Sequence, residues 1–251
     1  MDKIILITGA TSGFGKAIAE KFAAAGWNCI VTGRRADRLN ALVDQLQKQY
    51  QVQATSLVFD VQDRQAVFAA INSLPEAWKN IDILVNNAGL ALGRDSFENA
   101  NLDDWDTMID TNVKGMMYVT KAVLPVMTAR KKGHIINMGS VAAKLVYKEG
   151  NGYCASKHAV DALSKAMRID LLPHRIKVTA IHPGAAETEF SMVRFKGDET
   201  KAKQVYDGFT PLYAEDIADI TLYCASLPEN VCINELTVSS ISQADGIYIH
   251  K

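Results

Sequence analysis

Tyr153 and Lys157 lie four positions apart in the stretch Tyr153-Cys154-Ala155-Ser156-Lys157, a spacing that places both side chains on one face of a helix. A free tyrosine has a pKa of about 10 and is a poor base at neutral pH. A neighbouring ammonium group favours the phenolate, and lowering the pKa by about three units takes roughly 4 kcal/mol. Tyr153 is therefore a candidate general acid and base for a substrate alcohol or carbonyl, although a lysine can also lie beside a tyrosine by chance.

Two further polar side chains are candidates for the same chemistry. Ser140 directly follows the apolar run Ile135–Met138 and Gly139, so it lies at the carboxyl end of a predicted strand. Open α/β sheets bind ligands at that edge, and a hydroxyl there can donate to a carbonyl oxygen as negative charge develops. Asn112 lies inside a predicted helix, where asparagine is unfavourable, so we expect it to bind backbone or water.

The stretch Thr8–Gly15, rich in glycine, connects a predicted strand to a predicted helix. Glycines let the backbone turn tightly and approach a pyrophosphate, whose charge the free N–H groups of the helix start can bind. A P-loop is excluded because Ala10 and Ala17 stand where that motif needs Gly and Ser or Thr. The pattern indicates dinucleotide binding, the alternative being a glycine turn without a ligand.

The end of the second predicted strand carries Gly33-Arg34-Arg35. A carboxylate at this distance from the glycine turn binds the ribose 2′-hydroxyl of NAD. Two guanidinium groups suit a 2′-phosphate instead, so the sequence favours NADP (NADPH). The alternative is a solvated charge cluster at a helix start.

Strand and helix patterns alternate along the whole chain. This alternation predicts an α/β fold: one Rossmann-type, doubly wound parallel sheet with helices on both faces, spanning residues 1–251 as one domain. A long helix is expected from about Asp103 toward Arg130, with a kink at Pro125. The stretch His182–Phe209 has no clear period, and we expect a lid over the substrate at about 185–209.

Composition excludes several classes of protein. The 251 residues carry 27 basic and 28 acidic side chains, a balance that argues against nucleic-acid or membrane-surface binding. The start Met1-Asp2-Lys3 leads directly into an apolar strand pattern, so no signal peptide is expected. The four cysteines form no CxxC pair and the five histidines show no ligand spacing such as HxxxH. We therefore expect a reducing compartment, free thiols and no metal.

The order of these features resembles the short-chain dehydrogenase/reductase family over nearly the whole chain. The resemblance implies a catalytic set of Asn112, Ser140, Tyr153 and Lys157, in which Lys157 lowers the pKa of Tyr153 and Asn112 anchors a water. It also implies a nicotinamide cofactor. The cofactor-binding residues, some of them already named for their chemistry, would be Gly9, Thr11, Ser12, Gly13, Phe14, Gly15, Arg34, Arg35, Asp60, Val61, Asn87, Ala88, Gly89, Tyr153, Lys157, Pro183, Gly184 and Thr188.

A narrower resemblance connects the chain with the NADP-dependent 3-hydroxy acid dehydrogenases. It rests on the stretches 32–35, 86–93, 187–190 and 193–198. The group implies a short 3-hydroxy acid substrate, a cytoplasmic location and a homotetramer. The stretches 141–152 and 243–251 differ from the group.

A 3-hydroxy acid carries a carboxylate that needs a cation in its pocket. Our first candidate for this cation is Arg194, and Lys144 is the second. The alternative is that Arg194 is a surface arginine on a mobile loop. The substrate would contact Ser140, Tyr153 and Arg194. Two other functions stay open at this point: a broader carbonyl or 3-oxoacyl reductase, and a non-catalytic NADP-binding sensor.

Overall fold

Strand β1 (Ile4–Ile7) is buried along its whole length because its side chains alternate between two hydrophobic cores. Ile5 and Ile7 pack into one core, and Ile4 and Leu6 pack into the other. A strand covered on both faces is typical of a parallel sheet between two layers of helices. The computed structural model describes residues 3–251. The expectation about a signal peptide drew partly on Met1 and Asp2, which lie outside this range.

The sheet has seven strands, all parallel, in the order β3-β2-β1-β4-β5-β6-β7. The strand order reverses between β1 and β4, and the carboxyl ends of strands at such a point open a crevice for ligands. The predicted parallel α/β fold is confirmed. The remaining strands are β2 (Asn28–Gly33), β3 (Ala54–Val58), β4 (Ile83–Asn86), β5 (Gly133–Met138), β6 (Ile176–Pro183) and β7 (Glu235–Val238).

Ten α-helices connect and cover these strands in residues 3–251. Their bounds are α1 (Gly13–Ala24), α2 (Ala36–Tyr50), α3 (Arg64–Asn72), α4 (Glu76–Lys79), α5 (Leu102–Ile109), α6 (Met116–Arg130), α7 (Asn151–Asp170), α8 (Glu189–Arg194), α9 (Glu199–Gln204) and α10 (Ala214–Ser226). Helices α1, α2 and α10 cover one face of the sheet. Helices α3, α6 and the end of α7 cover the other.

The predicted long helix differs from the structure in one respect. It is divided into α5 and α6 by a π-helical segment, Asp110–Gly115, whereas α6 continues through Pro125 without a break. The helix thus contains Pro125 within its length, and the expected kink there stays a prediction. The irregular segment instead brings Asn112 to the loop after β4, where its amide binds the backbone of Leu90. The 185–209 segment contains the short helices α8 and α9.

All four cysteine thiols are free, and Cys29, Cys154 and Cys224 are buried. Among residues 3–251, none of the helices combines the length and the apolar character that a membrane crossing needs.

Candidate active site

The glycine turn after β1 is interlocked with the end of β4. Gly9 has φ +67° and Gly13 has φ +52°, backbone conformations that favour glycine. The side-chain amide of Asn87 donates to the carbonyl oxygens of Thr8 (2.8 Å) and Gly9 (3.2 Å). A Cβ added at Gly15 would collide with the Gly9 carbonyl oxygen and the Asn87 amide nitrogen. Glycine at position 15 therefore lets the turn close tightly against the end of β4.

Arg35 lies directly on this turn. Its Nε and Nη2 donate to the Thr11 hydroxyl at 3.0 Å and 2.6 Å, and Nη2 also donates to the Ser12 hydroxyl at 3.0 Å. Arg34 differs, because it is more exposed and pairs with Asp60 at 3.3 Å. The structure thus places one of the two predicted arginines in the turn and the other at the rim.

A cleft of about 890 Å³ runs from these arginines along the carboxyl edge of the sheet. Its lining is what a dinucleotide needs: a glycine turn at the start of a helix, cations at one end and a buried Tyr–Lys pair farther along. Of the predicted site residues, those lining the cleft are Gly9, Thr11, Ser12, Gly13, Phe14, Arg34, Arg35, Asp60, Val61, Asn87, Ala88, Gly89, Ser140, Tyr153, Lys157, Pro183, Gly184, Thr188 and Arg194. Gly15 and Asn112 stand behind the lining.

Tyr153 is buried at the far end of the cleft. Helix α7 carries it, and the ring lies with its centroid 5.6 Å from that of Phe190. Burial raises the pKa of the phenol above its ordinary value, while a hydrogen bond with Ser140 acts in the opposite direction. The expectation that a nearby cation places this pKa well below 10 is not met here, because desolvation has the larger effect.

Lys157 follows one turn later on α7, with its ammonium nitrogen 5.9 Å from the centroid of the Tyr153 ring. The ammonium donates to the Met138 carbonyl oxygen at 2.9 Å. Burial lowers the pKa of Lys157 to about 8. A lysine with that pKa can gain or lose a proton near neutral pH, which suits a proton relay.

Asn112 lies on the other side of Gly89 from the cleft. Its Oδ1 accepts from the Leu90 N–H at 2.8 Å, and its Nδ2 donates to the Leu90 carbonyl oxygen (2.8 Å) and the Ser156 hydroxyl (3.0 Å). A Cβ added at Gly89 would come within 3.1 Å of the Asn112 Oδ1 and 3.5 Å of the Lys157 nitrogen. Of the expected backbone or water contacts of Asn112, these bonds are the backbone ones, and the water that it would anchor stays a prediction.

Arg194, at the end of α8, reaches into the cleft beside Tyr153. Its guanidinium carbon is 5.6 Å from the centroid of the Tyr153 ring and 5.7 Å from that of Tyr147. Nη2 donates to the Tyr147 hydroxyl at 3.3 Å, and the buried Nε has no hydrogen-bond partner. A guanidinium cation thus lies beside the candidate acid–base residue in the cleft.

Lys144, the second candidate for the pocket cation, does not line the cleft, so that expectation is wrong. Its ammonium bridges Asp161 (3.0 Å) and Glu235 (3.1 Å). Two carboxylates hold the lysine away from the cleft. Asp161, Glu235 and the buried His182 bring three potential metal ligands within 4.8 Å of one another, with the Lys144 ammonium already bound between two of them.

The sequence of this chain matches a known protein family over most of its length. The profile of the family described as short chain dehydrogenase matches residues 3–199. The chain belongs to the short-chain dehydrogenase family.

Relatives within the family are similar over nearly their full length. The chain is 46% identical over 250 residues, 99% of both proteins, to "NADP-dependent 3-hydroxy acid dehydrogenase YdfG" of Salmonella typhi. It is also 46% identical to "Sulfoacetaldehyde reductase 2" of Chromohalobacter salexigens, over 97% of this chain and 96% of that protein. Among solved structures, "The Closed form of serine dehydrogenase complexed with NADP+" matches with a TM-score of 0.92 and 45% identity, over 99% of both chains.

Three parts of this short-chain dehydrogenase's cleft had no role assigned from the sequence. Tyr147 belongs to no recognisable motif. The only sequence signal for it was its position in the divergent stretch 141–152. Glu189 pairs with Arg35 (3.1 Å) and Arg38 (2.8 Å). In the final segment, Gln243 accepts from the Ala185 N–H at 2.8 Å, and the residues that line the cleft are Gln243, Gly246, Ile247, Ile249 and Lys251.

Proposed function

We propose that the protein is an NADP-dependent oxidoreductase that transfers a hydride between NADP(H) and a short 3-hydroxy acid. The substrates we have in view are L-serine, L-allo-threonine, 3-hydroxyisobutyrate and the pair 3-hydroxypropionate and malonic semialdehyde. The expectation from the sequence agrees with the names of the relatives, two of which include NADP. The geometry of the cleft supports both the cofactor and the acidic substrate.

The observation that carries the proposal is the placement of Arg194. Its guanidinium is within 6 Å of the Tyr153 ring, and its buried Nε lacks a partner inside the protein. Because Arg194 lines the cleft, the terminal nitrogens of its guanidinium can bind a substrate carboxylate with charge-assisted hydrogen bonds. A molecule with its carboxylate at Arg194 presents a hydroxyl two carbons away toward Tyr153.

Each residue of the catalytic set has a distinct task in this proposal. Tyr153 takes the proton from the substrate hydroxyl in oxidation and returns it to the carbonyl oxygen in reduction. Ser140 holds the same oxygen by a hydrogen bond as charge develops on it. Lys157, with a pKa of about 8, passes the proton onward and supports the phenolate. Asn112 fixes the Leu90 backbone beside them. When bound, NADP(H) accepts or supplies the hydride.

The cofactor would lie along the residues that line the cleft. The pyrophosphate would lie where Gly9 and Gly13 line the cleft, while Gly15 lets the turn close against Gly9 and Asn87. Arg34 and Arg35 would bind the 2′-phosphate. Thr188 caps the first turn of α8 and lies close to Gly13, in position for the carboxamide. Helices α8 and α9 then form the lid of a single domain.

A sulfonate substrate is a second candidate. A guanidinium binds tetrahedral oxyanions as well as carboxylates, and the relative from Chromohalobacter salexigens is named a sulfoacetaldehyde reductase. Arg194 would hold the sulfonate in the same position.

We further propose a cytoplasmic homotetramer. The argument for assembly is the number of large apolar side chains left exposed, among them Phe97, Leu102, Ile169 and Leu172, each at least 68% exposed. Sedimentation equilibrium of the purified protein tests the stoichiometry; a monomer at micromolar concentration would remove this part of the proposal.

The test of the activity follows nicotinamide absorbance with NADP⁺ and, separately, NAD⁺. The panel is L-serine, L-allo-threonine, 3-hydroxyisobutyrate, 3-hydroxypropionate, isethionate and 2-propanol. We expect NADP-dependent oxidation of the 3-hydroxy acids and much slower oxidation of 2-propanol, which has no carboxylate. Equal rates on neutral ketones and 3-oxoacyl thioesters with NADPH would indicate a broad carbonyl reductase instead. Turnover of isethionate alone would select the sulfonate.

A further inference from the structure

Glu189 places a carboxylate beside an arginine of the anion-binding turn. Its two oxygens accept from Arg38 at 2.8 Å and from Arg35 at 3.1 Å. Arg35 is also the residue whose other nitrogens bind Thr11 and Ser12. One guanidinium thus connects the glycine turn, on one wall of the cleft, with the first residue of α8, on the other.

Glu189 is ionised at neutral pH. Partial burial acts to raise the pKa of this carboxyl, but hydrogen bonds from Arg38 and Arg35 hold it below its usual range. The site therefore contains an internal anion paired with the cation that the proposed function assigns to the cofactor's 2′-phosphate.

Two anions close to one guanidinium compete for it. A phosphate adds about −1.5 to −2 charges and three acceptor oxygens, and it repels a neighbouring carboxylate. Arg35 has one nitrogen, Nη1, directed at Glu189 and the others at the turn hydroxyls. We propose that Glu189 is a specificity-determining residue that competes with the 2′-phosphate for Arg35 and so limits the affinity for NADP(H).

The proposal rests on the placement of the 2′-phosphate at Arg35. Glu189 is 154 positions away from Arg35 in the sequence, so its effect on cofactor affinity could not be predicted from the sequence. Removing the negative charge should strengthen binding of the phosphorylated ligand. If Glu189 instead oriented Arg35 for the phosphate, the same change would weaken it.

The experiment uses calorimetric titration with adenosine 2′,5′-bisphosphate and with 5′-AMP, which lacks the 2′-phosphate. We expect Glu189→Gln to lower the Kd of the bisphosphate about threefold to tenfold, since two half-exposed ion pairs and one repulsion are removed. The Kd of 5′-AMP should change by less than about twofold. In 0.5 M salt the gain should shrink, because half-exposed charges are screened.

The matched control is Glu199→Gln. Glu199 is the first residue of α9, as Glu189 is of α8, but its carboxylate lies 4.0 Å from Lys203 alone and is 74% exposed. We expect it to change neither Kd. Thermal unfolding of both variants checks that the fold is intact.

An unchanged or weakened bisphosphate affinity in Glu189→Gln would overturn the competition, as would equal tightening for both ligands. If the wild-type protein binds the two ligands equally, the 2′-phosphate does not bind Arg35, and the cofactor placement of the proposed function is wrong. Discrimination by wild type without any effect of Glu189→Gln would leave that placement standing and refute the competition alone.

Discussion

The two ends of the cleft are made from different parts of the amino acids. At the cofactor end the shape comes from backbone: the positive φ of Gly9 and Gly13, and the close approach that Gly15 allows. At the substrate end it comes from long side chains such as Arg194 and Tyr147, which reach inward from segments far apart in the sequence. A ligand common to a whole family can be bound by backbone, whereas a ligand that differs between members requires replaceable side chains.

Of the variants, Tyr153→Phe should show the largest difference between its effect on turnover and its effect on cofactor binding. The ring and its packing against Phe190 remain, but the group that exchanges the proton is lost. We expect kcat to fall about 10³-fold, within the usual range for a general acid–base residue. NADPH binding, measured by quenching of intrinsic fluorescence, should stay within about twofold of wild type. Substantial remaining turnover would remove Tyr153 from the chemistry.

Lys157 lies where the two ends meet, and its titration should appear in the stability of the protein. Its folded-state pKa of about 8 is below the ordinary 10.5, so between these values the unfolded chain holds a proton that the folded chain has lost. Raising the pH across this window therefore stabilises the folded state.

Urea unfolding at pH 8 and pH 10.5 measures this effect. We expect the free energy of unfolding to rise by up to about 3 kcal/mol more in wild type than in Lys157→Met. The same slope in both proteins would assign the pH dependence to other groups.

Gly15→Ala should weaken cofactor binding by distorting the glycine turn. The added methyl group collides with the Gly9 carbonyl oxygen and the Asn87 amide, so the turn must shift. We expect NADPH to bind about a hundredfold more weakly, a loss of roughly 3 kcal/mol. The matched control is Gly26→Ala, where φ is +79° but a Cβ meets nothing within 4 Å. That variant should lose about 1 kcal/mol of stability and no NADPH affinity.

Arg194→Gln tests the substrate end. We expect kcat/KM for 3-hydroxypropionate to fall about thirtyfold, the loss of one charge-assisted interaction. The value for 1-propanol should change by less than about twofold, because that alcohol has no carboxylate. Arg94→Gln is the control: Arg94 also lines the cleft, but it faces Glu149 at 3.8 Å. Equal losses for acid and alcohol would exclude Arg194 from binding the carboxylate.

Tyr206→Phe should have the smallest effect. The Tyr206 hydroxyl donates to the Ala186 carbonyl oxygen at 2.8 Å and lies 2.7 Å from the Ser191 hydroxyl, which ties α8 to the chain before it. We expect a loss of about 1 kcal/mol of stability and faster amide exchange confined to residues 186–206. Tyr223→Phe, at an exposed tyrosine, should change neither.

The sequence was most informative at the cofactor end. Turn glycines, the residues after strand ends and the YxxxK spacing are local patterns, and local patterns report backbone geometry directly. Arg34 and Arg35 could be named as a pair, but their different surroundings depend on Asp60 and Glu189, which come from elsewhere in the chain.

The substrate end was harder to predict for the same reason. Lys144 looked like a pocket cation because the carboxylates that bind it, Asp161 and Glu235, are distant in sequence. The pKa of Tyr153 was expected to fall because the nearby ammonium was visible in the sequence while the extent of burial was not. Side-chain partners and desolvation depend on tertiary packing, which no local spacing contains.

The π-helical segment between α5 and α6 has a consequence for insertions and deletions in this chain. Deleting one residue from a regular helix turns everything after it by about 100° and scrambles its contacts. A π turn already contains one residue more than an α turn, so losing Lys114, an exposed residue of Asp110–Gly115, would leave α5 and α6 in phase as one continuous helix. The chain would then keep its fold and lose the bulge that brings Asn112 to Leu90. A one-residue deletion in this segment would therefore affect the catalytic residues more than the fold.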